Sequence, residues 1–133
     1  MTLQSWPLQK AVFSSLTGNV PLMAVVTGVF DRVPLGTAYP YITIGEATAA
    51  DWSTKTSTGQ NHTLTLHVWS RDAGRQQAKQ ILDLIHTALH NQPLTLDGAA
   101  LVLLQYAFSE TLSDPDGITT HGVIRFRALT QSL

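Results

Sequence analysis

The order of its hydrophobic patterns predicts an α+β fold, with a mostly antiparallel sheet, one long helix and an N-terminal helix packed on it. Three observations carry this expectation. Apolar residues recur at helical spacing in two separate stretches, residues 5–16 and 75–89. Between and after them, apolar and polar residues alternate with the period of a half-buried strand. The pieces follow one another as helix, strands, helix, strands, without the regular strand–helix–strand alternation of a parallel sheet. A length of 133 residues suits one domain, 1–133.

In the first stretch Leu8, Val12, Phe13 and Leu16 form the apolar stripe. Ser5 stands where a cap belongs, Pro7 is tolerated in a first turn, and Gly18-Asn19 ends the helix. Residues 21–24 read as a further short helical turn, 25–33 as a weak strand containing Gly28, and 34–40 as a loop. Residues 41–46 read as a strand that turns Ile42 and Ile44 to one face, with Pro40 confined to its start or to an edge. The Thr-, Ser- and Ala-rich stretch 47–60 reads either as a long irregular segment or as an extended hairpin arm. Residues 61–69 make the clearest strand, with Leu64, Leu66 and Val68 on one face and Thr63, Thr65 and His67 on the other.

The second helix, 75–89, buries Ala78, Ile81, Leu82, Ile85 and Leu89. Asp72, just before it, is placed to accept its free N–H groups. After Asn91-Gln92-Pro93 come a short strand at 94–96, a turn at Asp97-Gly98 and a long strand at 101–112. On that long strand Leu104, Tyr106 and Phe108 are expected on one face, and Leu103, Gln105, Ala107 and Ser109 on the other. The run Ser113-Asp114-Pro115-Asp116-Gly117 is a strong hairpin turn, because Pro115 presets one backbone angle and Gly117 accepts a positive φ. The chain then returns over 118–129 with Ile124, Phe126 and Ala128 inward and Arg125 and Arg127 outward.

Composition narrows the function classes. Charged residues make up 13% of the chain, about half the usual share. Either part of the surface is covered by partners, or Thr, Ser, Gln and Asn supply the missing polarity. Eight basic and nine acidic residues leave a formal net charge of −1, with no long run of either sign. A broad electrostatic nucleic-acid binder would need a basic face instead. The absence of cysteine excludes disulfides, thiol chemistry and thiolate metal sites. Residues 1–10 lack the pattern of a signal peptide, and no apolar run is long enough to span a membrane.

No catalytic, cofactor-binding or metal site is expected. His86 and His90 are four apart on the second helix, but no H-E-x-x-H pattern accompanies them. Asp114 and Asp116 are explained as turn residues by Pro115 and Gly117. No serine stands in a nucleophile elbow, and no Gly-rich phosphate loop precedes the second helix.

The most distinctive segments are Pro40-Tyr41 with Ile44-Gly45, the run Asp51-Trp52-Ser53-Thr54-Lys55-Thr56, and His67-Val68-Trp69-Ser70-Arg71 with Gly74-Arg75. To these is added the C-terminal stretch from Asp116 through Arg125-Phe126-Arg127 to Leu129. In this order they resemble the DUF3168 family of phage and gene-transfer-agent tail-completion proteins, over residues 8–129 or so. The resemblance implies a structural, non-enzymatic subunit of a virion or phage-like particle, assembled in the bacterial cytoplasm. It implies a hexameric ring that terminates the tail tube, binding tube protein on one side and a head-side connector or stopper protein on the other. DNA would pass through the lumen without sequence-specific contacts. The alternative role is a head-side stopper or adaptor of the same neck. No cofactor and no membrane are implied.

Candidate contact residues follow. Asp51, Trp52 and Lys55 lie in a polar segment where an exposed tryptophan suits an interface with a neighbouring subunit or the tube, or else folds back on its own core. Trp69, Arg71 and Arg75 cluster with Asp72 at a strand-to-helix junction; the arginines either fix that turn or reach a carboxylate across a subunit boundary. Arg125 and Arg127 share a strand face that either lines the lumen near DNA, or is an ordinary solvated face paired with Glu110.

Overall fold

The computed structural model describes residues 3–133. The chain runs through α1 (Ser5–Thr17), α2 (Val20–Met23), β1 (Val29–Phe30), β2 (Tyr41–Asp51) and β3 (Gly59–Ser70). It continues through α3 (Gln76–Leu89), β4 (Thr95–Leu96), β5 (Ala99–Ser113) and β6 (Thr120–Ser132). The strands form one six-stranded sheet in the order β1-β2-β3-β6-β5-β4. Every neighbouring pair is antiparallel except β1 with β2. The α+β, mostly antiparallel expectation holds. One long helix does not stand out, since α1 has 13 residues and α3 has 14.

The helices gather on one face of the sheet. α3 lays Ala78, Ile81, Leu82, Ile85, Ala88 and Leu89 against Leu64, Leu66 and Val68 of β3 and Ile124, Phe126 and Ala128 of β6. α1 adds Leu8, Val12 and Leu16. Each of the leucine, isoleucine, valine and phenylalanine side chains among them, fully buried, stabilises the fold by about 1.5–3 kcal/mol relative to exposure.

Several local expectations are corrected. The buried stripe of α1 is the narrow 4-residue repeat Leu8, Val12, Leu16, whereas Phe13 is 41% exposed. It lies one position round from Val12, at the edge of the buried stripe. Ser5 is not the cap. The preceding Gln4 holds the cap position without a side-chain capping bond, and its own buried side chain ties the helix start to the sheet. The Gln4 backbone N–H donates to Gln60 Oε1 at 2.9 Å, its Nε2 donates to Ser132 Oγ at 2.9 Å, and its Oε1 accepts from the Thr130 hydroxyl. Asn19 caps α2, accepting from the Leu22 N–H at 3.0 Å. The weak strand at 25–33 shrinks to the two residues of β1.

β2 and β3 pair without a break in chain direction from Tyr41↔Trp69 to Asp51↔Gln60, with a bulge between Ile44 and Ala47. Gly45 sits in that bulge because a Cβ there would collide with the His67 ring. β5 has two irregularities against β6, between Leu101 and Leu103 and between Tyr106 and Phe108, and the latter overturns the faces expected beyond Ala107. Tyr106 pairs with Phe126 on the helix side, but Phe108 pairs with Arg125 on the opposite side, and Ser109 with Ile124 on the helix side. The residue inserted at Ala107 reverses every side chain beyond it.

Candidate assembly surfaces

The face of the sheet opposite the helices carries Thr63, Thr65, His67 and Trp69 of β3, in register with Arg127, Arg125, Val123 and His121 of β6. The Trp69 indole stacks on His121 at 4.0 Å and 9°, and its Nε1 donates to Thr43 Oγ1 at 3.1 Å. His67 Nδ1 meets His121 Nε2 at 2.7 Å, and His67 Nε2 meets Glu46 Oε1 at 2.7 Å. The hydrogen bond from His67 holds the Glu46 carboxyl below its ordinary range. Burial, followed by the neighbouring His67, pushes the His121 pKa down. Trp69 is therefore fastened into a hydrogen-bonded row on its own sheet.

Arg125 and Arg127 differ. Arg125 Nε donates to Thr65 Oγ1 at 3.2 Å, and its guanidinium lies 5.6 Å from the Phe108 ring centre. It makes no ion pair with Glu110, whose register partner is Val123. Arg127 lies between Thr63 and Gln105 and is exposed, with no ion pair among the described residues.

At the strand-to-helix junction both arginines turn toward the 113–119 turn rather than to Asp72. Arg71 Nε donates to Thr119 Oγ1 at 3.1 Å, its Nη2 lies 3.9 Å from Asp116 Oδ2, and its guanidinium sits 4.3 Å over the Tyr39 ring. Arg75 Nη2 donates to Ser113 Oγ at 3.2 Å. Arg75 is itself the cap residue of α3 and no side chain bonds the helix start, so Asp72 does not cap it. Asp116 accepts from the N–H and hydroxyl of Thr119 and from the Ile118 N–H, which lowers its pKa to about 2.

The 47–60 stretch resolves into the outer half of β2, a short tip and the start of β3. The Trp52 N–H donates to the Gly59 carbonyl at 2.8 Å, and the Thr54 N–H to the Ser57 carbonyl at 2.8 Å. A Cβ at Gly59 would stand 2.7 Å from the Trp52 carbonyl oxygen and 2.8 Å from that of Thr130, so only glycine closes this tip. Asp51 accepts from Ser53 Oγ at 2.6 Å, Trp52 is 38% exposed, and Lys55 points to solvent.

His86 and His90 stack at 4.8 Å and 19°, and His90 Nδ1 accepts from the Tyr106 N–H at 3.0 Å, which gives the pair a packing role. Two features went unread in the sequence. One is the Glu46–His67–His121 row, whose members come from three strands and lack a common spacing. The other is the exposed side of α1, where Trp6 and Phe13 stand seven residues apart beside Ile44 and Asp31. That spacing is two helical turns, and the signal was present.

A covered core, a bare polar sheet face and exposed aromatic residues define a small structural subunit suited to contact with other proteins. The chain belongs to the tail completion protein gp17 family, whose model matches residues 10–131. It is 34% identical over 125 residues to the tail completion protein gp17 of Bacillus phage SPP1, covering 94% of this chain and 92% of that protein. A chain of the virion of a native gene transfer agent particle superposes with a TM-score of 0.92 at 29% identity, over 99% of this chain and all of that one. The structure of bacteriophage SPP1 gp17 superposes with a TM-score of 0.66 at 33% identity, over 96% and 95% of the two chains. The likeness to tail-completion proteins seen in the sequence thus holds, and with it a structural role in the tail or neck of a phage or phage-like particle.

Proposed function

We propose that this chain is a ring subunit, six to a ring, that terminates the tail tube and joins it to the head-side connector. One observation carries the reading. A chain that resides in an assembled gene transfer agent virion matches it over 99% of its length with a TM-score of 0.92. The match to SPP1 gp17 is looser, at 0.66, despite slightly higher identity.

A closed ring needs two unlike patches on each subunit, each meeting the other on the next copy. In this reading the 47–60 arm, with Asp51, Trp52 and Lys55, reaches a neighbour or the tube. Trp69, Arg71 and Arg75 flank the same contacts from the junction. The bare sheet face turns Arg125 and Arg127 toward the lumen, where six copies give a basic belt that touches DNA phosphates without reading sequence. Assembly in the bacterial cytoplasm and residence in the finished particle follow from this role.

Cryo-electron microscopy of particles containing the chain tests it. Sixfold density fitted by this fold, between tube and connector, is the expected result. Density on the head side of the connector would replace the terminator role with that of a stopper. A neck without any such density would remove the ring.

A further inference from the structure

The sheet is open on both flanks, at opposite ends of its strands. On one flank β1 covers β2 only at Ile42 and Thr43. On the other, β4 pairs with Ala99 and Ala100 of β5, and the turn after α3 engages the Leu104 carbonyl and the Tyr106 N–H. Among the described residues nothing pairs with the outer edge of β2 over residues 47–51, or with that of β5 over residues 107–113. Both stretches are largely exposed. Neither carries a lysine or a proline, two common means of keeping a bare edge from pairing.

The backbone groups of the two edges match one for one. The Trp52 N–H bonds the Gly59 carbonyl, so Trp52 faces β3, and the alternation of an antiparallel pair turns the N–H and C=O of Asp51, Ala49 and Ala47 outward. The Asp114 N–H bonds the Thr119 carbonyl, which likewise turns those of Ser113, Thr111 and Ser109 outward. β2 and β5 run in opposite directions, because each pair from β2 through β3 and β6 to β5 is antiparallel. A copy generated by rotation about a ring axis keeps its direction, so its β5 beside this β2 prolongs the antiparallel order. The covered halves do not interfere. With Ala49 opposite Thr111, Ile42 and Thr43 under β1 lie past the end of the neighbour's β5, and the neighbour's Ala99 and Ala100 under β4 lie past the end of this β2.

We propose that the outer edge of β2 pairs with the outer edge of β5 of the neighbouring copy, Ala47, Ala49 and Asp51 bonding Ser113, Thr111 and Ser109, so that the ring shares one sheet. This rests on the ring reading above and names the joint between its subunits. The slope of the joint selects a second copy as the occupant. Within one chain Ala49 is level with His62, Ala128 and Leu104, whereas in the joint it faces Thr111. Each copy thus steps about 20 Å along the strands while β2, β3, β6 and β5 add about 19 Å across them. Strands so placed tilt by about 45°, an inclination at which a sheet closes on itself. The pairing also keeps the bare face on one side throughout, with Ala50 opposite Glu110 and Thr48 opposite Leu112. That is the face turned to the lumen in the ring reading.

The chain has no cysteine, so introduced ones report cleanly. Ala50 and Glu110 face each other across the joint with Cα atoms about 4.5 Å apart, within reach of a disulfide. Full-length chain carrying Ala50→Cys and Glu110→Cys together is incorporated into particles and oxidised. The expected result is a non-reducing ladder of cross-linked copies, absent from either single variant. Separately, Ala49→Pro or Thr111→Pro removes one outward N–H and none of the chain's own ladder bonds. Either lowers the yield of completed particles by about tenfold, whereas Ala49→Val and Thr111→Val do not. Circular dichroism and thermal melting of the purified variants check that each still folds. Sixfold neck density without a ladder overturns the joint and leaves the ring standing. A cross-linked dimer from Ala50→Cys alone places β2 on β2 and overturns it as well. A disulfide to a different particle protein overturns the choice of a second copy as occupant. Absence of the ring density itself, in unmodified particles, overturns both readings together.

Discussion

The two faces of the central sheet come from the same strands and are held by different forces. Under α3, alternate residues of β3 and β6 are apolar and almost fully buried, from Leu64, Leu66 and Val68 to Ile124, Phe126 and Ala128. On the bare face the intervening residues are polar, yet some are also buried. Thr65 is 1% exposed without a helix above it, covered by its neighbours and accepting from Arg125. His67, His121 and Trp69 are likewise paired or stacked with one another. The covered face depends on buried area and volume, and the bare face on each polar group having a partner. A loss of volume should therefore be costly on the first. A lost partner on the second should cost little wherever water can substitute.

The largest expected effect tests that difference directly. Phe126 is wholly buried, and Phe126→Ala should lower stability by about 3–5 kcal/mol. Thr65→Val on the bare face removes the acceptor of Arg125 Nε but keeps the volume. The Arg125 side chain remains open to water, so the cost should stay under about 1.5 kcal/mol. Equilibrium denaturation with urea measures both. Equal costs would break the comparison and mean that the bare face is as tightly built as the core.

The same difference explains what the sequence revealed. The covered face was legible because burial there imposes a period, and Leu64-Leu66-Val68, Ile81-Leu82-Ile85 and Ile124-Phe126-Ala128 all keep to it. Phe108 was misread for the same reason. A single extra residue at Ala107 shifts the phase, and no composition signal marks it. Ser5 was misread because the polar partners of the helix start, Gln60, Thr130 and Ser132, are distant in sequence. Of the proposed contact residues, Trp52 and Lys55 were visible as an incongruous tryptophan in a polar stretch.

A histidine on each side sharpens the comparison through pH. His62, on the helix side, bonds Thr130 Oγ1 at 2.9 Å, and burial lowers its pKa. His121, on the bare side, is lowered by burial and by His67, while Asp114, Glu110 and Glu46 pull it back up. A histidine whose folded pKa lies below its unfolded value of about 6.5 binds a proton more readily when unfolded. Stability is therefore full above about pH 6.5 and falls as pH drops below it, levelling off beneath the folded pKa. His62→Gln should flatten the decline in unfolding free energy between about pH 7 and about pH 5 more than His121→Gln does, because no carboxylate offsets the burial of His62. Titrated urea denaturation reads the slopes, and the reverse order would place the drier environment on the bare face.

The smallest effect belongs to the turn that both faces share. Asp116 gathers the N–H and hydroxyl of Thr119 and the N–H of Ile118, which bring its pKa to about 2, and Arg71 stands nearby. The sign is opposite to that of the histidines. A depressed carboxylate contributes stability above its unfolded pKa, near about 3.9, and loses it as pH falls through about 2. Asp116→Asn should thus lower the melting temperature slightly at neutral pH, with the gap to the natural chain closing between about pH 4 and about pH 2. The carboxylate is solvent-exposed, so added salt should weaken whatever part of the gap comes from Arg71 and leave the hydrogen-bonded part. Thermal melts across that range, at low and high salt, provide the check. A gap that persists at the acid end would mean that the charge of Asp116 is not what stabilises the turn.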